Sequence, residues 1–408
     1  MSNQLLTISK ITNEALMVLE NELTFPSEVD RNYDDQFAVV GAKIGNTVNV
    51  RRPGRFIGTT GPALNVEDFN ETSVPVTLST QFHVDTQFTT QDLALSLDMF
   101  SDRVLKPAVA AIANKIDRDG LSMAALQTAN IVGTAGTPPT GLITYLTAGA
   151  YLDAEGAPRD GRRAVVVEPF TSATIVDSLK GLFVPQEAIG EQYRKGLMGR
   201  DSAGMNWKMD QNVVSQTFGN YTGTATVDTR ASNTQILTSG WASSSTITIT
   251  KSGTVTPNVG DTFTIDGVYA VNPQNRQAYG SNKLRNFVIK SISGSTVVVS
   301  PAIISGGQFQ NVSIPTTSAT AAINFYNKAG AVSPQNIIMH RNAFTLAVAD
   351  LELPEGVHFA GRASDKEIGL SMRVVRQYTI NNDSIPTRLD VLYGWAPLYP
   401  ELACRVAA

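Results

Sequence analysis

The chain has 408 residues, enough for two or three domains, and 42% of them are hydrophobic, enough for a sizeable core. A net charge of −4 and an isoelectric point of about 5.5 argue against a nucleic-acid-binding protein with a basic face. The single cysteine, Cys404, excludes an internal disulfide, and no run approaches the roughly 18 apolar residues of a membrane span. The N-terminus has neither the basic region nor the apolar core of a signal peptide, so we expect a soluble chain made in the cytoplasm.

The first predicted element is a helix over residues 7–23, where apolar side chains recur at spacings of three and four. Two interpretations are open. The helix is an arm that packs on a neighbouring subunit, or it lies on its own domain.

Residues 45–73 form a long segment that contains glycine and proline throughout and shows no helical period. Its charges are segregated, with three arginines first and three acidic residues after them: Arg51, Arg52, Arg55, Glu67, Asp68 and Glu71. The segment is either a solvated hairpin whose charges pair in water or an extended loop that reaches an adjacent subunit. In the second case these six residues are the predicted intersubunit contacts.

Residues 74–88 alternate apolar and polar side chains, which predicts one half-buried strand of unusual length with His83 on its polar face. Residues 105–126 place apolar residues on one stripe and predict a long amphipathic helix. Pro107 predicts either a helix start just before it or a bend. Gly120 costs about 1 kcal/mol relative to alanine, so we expect tertiary packing to hold this helix.

The composition changes at about residue 224. Only Asp261 and Asp266 are acidic between residues 231 and 330, where Ser, Thr, Asn and Gly dominate. Short strand-like runs recur there about every ten residues and predict a small barrel or sandwich. The runs are TATV, TQIL, STITIT, DTFTID, NFVIKSI, TVVV, QNVSI and AAINFY.

The sequence on both sides of this β-rich piece has α+β character. Before it, AVVVEP predicts a buried strand and TSATIVDSLKGLF a helix. After it, NIIMHRNAFTLAVADL predicts a strand and then a helix. The β-rich piece is therefore predicted to be inserted into a host domain.

The last part of the chain predicts a hairpin. GLSMRVVRQYTI and TRLDVLYGW are strand-like and are joined by the turn INNDSIP. Both arms are long enough to pair with the strand at 74–88 in one sheet that backs the helix at 105–126.

We find no pattern that carries chemistry. The three histidines lie far apart in sequence, at His83, His340 and His358. A chain with one cysteine cannot complete a thiolate metal site. Cys404 alternates with apolar residues as in a buried strand. Carboxylate pairs of the glycosidase kind can be drawn from Asp350, Glu352 and Glu355 or from Asp365 and Glu367, although ADLELPEG is more simply the end of a helix. The sequence predicts no catalytic, cofactor or metal site.

Several runs resemble major capsid (coat) proteins of tailed double-stranded-DNA bacteriophages, in particular the short-tailed-phage group with an inserted β-barrel. These runs are NAFTLAVADLELPEGVHFAGR, GLSMRVVRQYTINNDSIPTRLDVLYGWAPLYPELACRVA and GDTFTIDGVYAVNPQNRQAYGSNKLRNFVI. LKPAVAAIANKIDRD is similar to the long spine-helix segment of that group. The resemblance extends from about residue 7 to the end and is weakest in the N-terminal arm and the extended loop.

The resemblance implies an α+β fold of the tailed-phage capsid type with an inserted all-β barrel. The implied parts are an N-terminal arm (1–44), an extended loop (45–73), a peripheral domain with the spine helix (74–140 and 361–385), an axial domain (141–223, 326–360 and 386–408) and the inserted barrel (224–325).

The resemblance also implies a function. Copies of the chain would form pentamers and hexamers of an icosahedral shell, assembled in the host bacterial cytoplasm with a scaffolding protein, and double-stranded DNA would enter through a portal. A decoration protein is a further candidate partner, and no membrane, cofactor or sequence-specific DNA contact is expected. Two alternatives stay open: another phage structural protein, such as a tail or decoration component, and a polysaccharide hydrolase with a β-rich accessory domain.

Overall fold

The computed structural model describes residues 15–17, 19, 23–31, 45–68, 71–89, 106–178, 203–230, 233–279, 283–326, 329–365 and 370–408. Most of the predicted N-terminal helix lies outside the described residues, and the described residues 15–17 and 19 are helical. The chain forms two compact units. The first contains Met1–Val50, Val74–Gly120 and Phe344–Ala396, and the second contains Arg51–Ser73, Leu121–Ala343 and Pro397–Ala408.

Besides the helical residues 15–17 and 19, the described part of the chain contains three α-helices and many short strands. The helices are α1 (Lys106–Gln127), α2 (Leu142–Ala154) and α3 (Pro169–Ser178). The strands are β1 (Thr47–Arg52), β2 (Thr72–Thr77), β3 (Thr80–Thr89), β4 (Ile131–Gly133), β5 (Arg163–Val167), β6 (Asn206–Met209), β7 (Ser215–Thr217), β8 (Asn220–Tyr221), β9 (Thr224–Val227), β10 (Ser245–Thr248), β11 (Thr250–Ser252), β12 (Val255–Thr256), β13 (Thr262–Ala270), β14 (Leu284–Ser293), β15 (Thr296–Ser300), β16 (Val312–Ser313), β17 (Ala321–Phe325), β18 (Val332–His340), β19 (Phe344–Ala349), β20 (Phe359–Asp365), β21 (Leu370–Arg376), β22 (Ser384–Pro397) and β23 (Ala403–Ala407).

The first unit contains a five-stranded sheet. β22 pairs with β19, β21 and β3, and β21 also pairs with β20. The predicted hairpin is therefore confirmed as β21 and β22, and so is its pairing with the strand that follows residue 74. β22 has 14 residues, long enough to hold three neighbours in one sheet.

Two predictions about strands are wrong. The strand expected at 74–88 is broken into β2 and β3, because the two parts belong to different sheets: β2 pairs with β1, and β3 pairs with β22. The helix expected after NIIMHRN is instead β19. All but the last of its six residues are buried, and periodicity cannot distinguish a strand from a helix in so short an apolar run.

The long helix is confirmed as α1, and tertiary packing explains its two unfavourable residues. Pro107 lies in the first turn, where the missing N–H removes no helical hydrogen bond. Gly120 lies under two aromatic rings, since a Cβ built at this position would be 2.5 Å from Trp395 Cζ2 and 2.8 Å from Phe25 Cδ1. Tyr393 on β22 donates to Asp119 Oδ2 at 2.7 Å. Glycine is therefore required by the close approach of the sheet.

The host part of the second unit is a mixed sheet in the order β4-β23-β18-β5-β6, and β7 also pairs with β18. β5 and α3 confirm the predicted strand and helix before the insert. Tyr145 and Leu152 of α2 pack on the sheet with Ile338 and Cys404. Cys404 is buried in β23, as predicted.

The β-rich piece forms a nearly closed eight-stranded barrel, as predicted. Its path is β10-β15-β14-β13-β17-β9-β11, and β16 pairs with β13. The interior is a continuous apolar core that includes Phe263, Ile265, Phe287 and Val299. Of the predicted runs, TQIL contributes only an isolated bridge between Leu237 and Ile304.

A buried acid lies at the start of β13. The Asp261 side chain is fully buried, and its carboxylate accepts hydrogen bonds from the N–H groups of Asn258 (2.6 Å) and Gly219 (3.2 Å) and from the Tyr221 hydroxyl. Gln216 Nε2 also donates to it at 3.3 Å.

Gln216 links this acid to a buried cation. Its Oε1 accepts from Arg405 Nη1 at 2.8 Å, and Arg405 is fully buried on β23. The second Arg405 amino group donates to Thr262 Oγ1. The strands of the insert and of the host sheet therefore share one hydrogen-bond network.

Candidate functional site

The extended loop is a long excursion between two paired strands. β1 pairs with β2, and the described residues between them form no helix or strand. Gly58 and Gly61 adopt φ angles of 67° and 132°, the left-handed region that glycine tolerates best. The glycines of this segment therefore allow turns that other residues would strain.

Arg51 and Glu71 pair across the base of the loop. Arg51 Nη1 lies 3.3 Å from Glu71 Oε2, and the two side chains are 79% and 47% exposed. Pairs this exposed contribute between zero and about 1 kcal/mol, because water screens them. Both side chains are therefore accessible to another molecule.

Arg52, in contrast, is largely buried. Its Nη2 donates to Glu401 Oε1 at 2.8 Å, and the side chains are 12% and 19% exposed. The guanidinium carbon lies 4.2 Å from the ring centroid of Tyr399 and 5.6 Å from that of Trp241. Cation–π contacts of this kind contribute about 0.5–2 kcal/mol each. Arg52 therefore fixes the base of the loop to the C-terminal segment and to the inserted barrel.

Arg55 lies further along the loop and has a different environment. Its guanidinium carbon is 5.9 Å from the ring centroid of Phe309. Burial lowers the pKa of the Arg55 guanidinium, and the charge of Glu401 partly opposes this effect. Within the described part of the chain, Arg55 forms no ion pair.

Two of the acidic residues shape the loop itself. The Glu67 carboxylate accepts from the N–H groups of Ile57 at 2.7 Å and Gly58 at 2.6 Å. The main-chain oxygen of Asp68 accepts from Gln308 Nε2 on the inserted barrel at 2.7 Å. The Glu67 contact joins the two halves of the loop, and the Asp68 contact attaches the loop to the barrel.

The six predicted residues therefore do not form one cluster. The structure pairs Arg51 with Glu71 and gives the other four separate partners in the same chain. Sequence reasoning missed those partners, and it had no local signal for them, since Glu401 is 349 positions from Arg52. Contact of the six residues with an adjacent subunit stays a prediction.

Two exposed apolar surfaces were also missed. On the loop, Leu64 is 90% and Val66 is 78% exposed. On α2, Ile143 is 71% and Leu146 is 45% exposed, while the opposite side of the helix is buried. A helix that is apolar on both sides is usually covered, and exposed apolar patches mark interaction sites.

Several of the groups considered for chemistry have structural partners, and Glu367 lies outside the described residues. His340 Nε2 lies 3.2 Å from Asp160 Oδ1, and Asp350 lies 3.4 Å from Arg362 Nε. Burial raises the pKa of the Cys404 thiol, so it stays protonated. Among the residues that the structure describes, no group of three His, Cys, Asp or Glu side chains could hold a metal ion, and no helix is long and apolar enough to cross a membrane.

Comparisons with known proteins point to one family. Residues 2–405 match the family model of the P22 coat protein (gene protein 5). A search of the curated proteins returns no match.

Similar solved structures include three phage structures. One from Mycobacterium phage Che8 is 12% identical, with 94% of this chain and 90% of that one covered and a TM-score of 0.45. The capsid structure of the cyanophage P-SCSP1u is 12% identical, with 89% and 84% covered and a TM-score of 0.44. The bacteriophage PhiM1 mature capsid is 10% identical, with 89% and 82% covered and a TM-score of 0.44.

Proposed function

The chain belongs to the P22 coat protein family and is a major capsid protein of a virion shell; from this premise we propose how it assembles. Its copies form pentamers and hexamers of an icosahedral shell in the host bacterial cytoplasm. A scaffolding protein directs assembly, a portal admits double-stranded DNA, and a decoration protein is a further candidate partner. The family role is structural, and we propose that the chain catalyses no reaction.

The observation that carries this proposal is the extended loop, which is fixed at its base and exposes large apolar side chains. Arg52 holds the base through Glu401 and two aromatic rings. Leu64 and Val66 expose most of their surface to water. A preorganised loop loses little conformational freedom on binding, so more of the contact energy is available for association.

The domain organisation is part of the proposal. We propose an arm, an extended loop, peripheral and axial domains and an inserted barrel with the boundaries 1–44, 45–73, 74–140 with 361–385, 141–223 with 326–360 and 386–408, and 224–325. The barrel boundaries are supported by the eight-stranded sheet, whose strands run from β9 to β17 around their own apolar core.

The charged residues of the loop have different parts in this proposal. Arg51 and Glu71 are exposed, so they are free to exchange their weak mutual contact for one with an adjacent subunit. Arg52, Arg55, Glu67 and Asp68 position the loop and contact the neighbour from its flanks.

The test is co-expression of the chain with its candidate scaffolding protein, followed by electron microscopy of the particles. We expect closed shells from the natural sequence. Leu64→Asp should reduce shell yield at least tenfold, because a carboxylate at a buried apolar contact must be desolvated. Thr60→Asp is the matched control, since it adds the same charge to an exposed position of the same loop.

Two outcomes would contradict different parts of this proposal. Tubes, fibres or unassembled chains from the natural sequence would contradict the shell role. Equal shell yields from the Leu64→Asp and Thr60→Asp variants would instead contradict only the role of the apolar loop surface.

A further inference from the structure

A cavity of about 430 Å³ lies beside the base of the extended loop. Four segments of the second unit form its walls: the loop at Arg55 and Phe56, the turn after α2 at Glu155, the turn at 273–276, and the C-terminal segment at 399–402. Four of the lining residues are charged: Arg55, Glu155, Arg276 and Glu401.

The two carboxylates on the walls already have partners. Glu155 accepts from Arg285 Nη1, and both side chains are almost fully buried, at 6% and 4% exposure. Glu401 accepts from Arg52 at 2.8 Å. Each carboxylate is therefore neutralised by one guanidinium.

Two further guanidiniums on the walls have no such partner. Within the described residues, neither Arg55 nor Arg276 forms an ion pair. Arg276 donates through Nη2 to Phe56 O at 2.5 Å, but its Nε is buried without a hydrogen-bond acceptor. The lining therefore holds two guanidiniums that form no ion pair among the described residues and two carboxylates that are already paired with Arg52 and Arg285.

The backbone holds Arg276 in place at some cost. Its φ angle is +57°, which is unfavourable for a residue with a Cβ. The turn is fixed because Arg276 N donates to Asn272 O and Asn272 Oδ1 accepts from Gln274 N, both at 2.8 Å. Strain of this kind persists only where the surrounding structure enforces it, and it is concentrated at functional sites.

We propose that this cavity binds an oxyanion, a phosphate or a carboxylate, between Arg55 and Arg276. A partly buried cation that forms no ion pair is costly, and an anion bound between the two arginines would reduce that cost. The planar guanidinium also offers paired N–H donors that match the oxygens of phosphate and carboxylate. The anion is either a free ion or a carboxylate side chain that a second copy of the chain inserts in the shell.

The first test is isothermal titration calorimetry of the purified chain with inorganic phosphate at constant ionic strength. We expect saturable binding at one site per chain. Arg55→Gln and Arg276→Gln should each weaken the affinity at least tenfold. Arg51→Gln is the matched control, because it removes the same charge from the same loop at an exposed position away from the cavity.

Two further variants separate binding from folding. Arg55→Lys and Arg276→Lys keep the charge but lose the paired donors, so we expect an intermediate loss of affinity with an unchanged circular dichroism spectrum. Absence of saturable binding to the natural sequence would overturn the proposal. An equal loss in Arg51→Gln would also overturn it, because the attraction would then be diffuse.

The second test distinguishes the two sources of the anion by repeating the titration on assembled shells. If shells still bind one phosphate per chain, the natural ligand is a free ion. If shells bind none and phosphate slows assembly, a carboxylate of the adjacent subunit occupies the site. Failure of this proposal and failure of the shell role can be distinguished, because a chain that does not bind phosphate can still assemble into shells.

Discussion

Substitution of Asp261 by alanine tests whether the insert and the host sheet share one buried polar network. The change removes the acceptor of four donors; the side-chain amide of the buried Gln216 loses its partner, whereas the N–H of Gly219 also donates to the Tyr221 hydroxyl at 3.0 Å. A buried donor that loses its acceptor costs about 1–3 kcal/mol. The other two donors, on Asn258 and Tyr221, lie nearer to water and can hydrate.

The buried Gln216 amide therefore predicts a loss of about 1–3 kcal/mol in the free energy of unfolding. The loss should lie in the upper half of this range, because Gln216 also holds the buried Arg405 guanidinium. The measurement is urea unfolding of the purified chain, followed by circular dichroism and tryptophan fluorescence. An alanine at position 261 has no charge and cannot accept these hydrogen bonds, so no rearrangement of the side chain can offset the effect.

The chain offers a matched control for this substitution. Asp266 is the other acid between residues 231 and 330. It lies on β13, which begins directly after Asp261, is exposed and accepts one hydrogen bond from Asn324 at 2.6 Å. Asp266→Ala makes the same change in net charge and should alter the free energy of unfolding by about 0.5 kcal/mol or less. A difference below about 1 kcal/mol between the two variants would refute the reasoning.

Two other substitutions test local packing and pH dependence. Gly120→Ala should destabilise the chain by about 1 kcal/mol in thermal unfolding, because overpacking against Trp395 and Phe25 costs more than the helix propensity gained. Gly149→Ala in α2 should stabilise the chain instead, because a Cβ at this position meets no atom within 4 Å. A hydrogen bond from Arg159 lowers the pKa of Asp153 below its unfolded value, so its contribution to stability is complete above about pH 5 and is lost as the pH falls through the folded pKa. Asp153→Asn should therefore be less stable than the natural sequence at pH 7 and no less stable near pH 2 in urea titrations, and a constant difference across this range would contradict the assignment.

The sequence correctly predicted those elements whose residue pattern is compatible with only one kind of secondary structure. The stripe of α1 and the alternation of β21 and β22 gave the right secondary structure because their length exceeds any ambiguity. The run Phe344–Ala349 was assigned wrongly as a helix because six residues, five of them apolar, carry no period that separates strand from helix. Fold class followed from the long elements and from the regular spacing of the short ones in the barrel.

The site was less predictable, because its contacts join distant parts of the chain. The segregation of charge in the loop left open a solvated hairpin and a contact with an adjacent subunit, and the pairing of Arg51 with Glu71 is compatible with both. It could not indicate that Arg52 lies between Tyr399 and Trp241, since neither ring is close in sequence. The cavity could not be predicted either, because it forms only where four segments that are distant in sequence meet in the folded chain.

The contrast between the base and the exposed part of the loop bears on how a shell can form from many weak contacts. Each subunit is held by several neighbours at once, so each contact can be weak without loss of overall affinity. A weak contact is specific only if its geometry is set beforehand, because a flexible loop would spend its binding energy on becoming ordered. The buried pair of Arg52 with Glu401 provides that order within the subunit. We therefore expect Arg52→Ala to slow assembly even though Leu64 and Val66, which we propose as the contact surface, are unchanged.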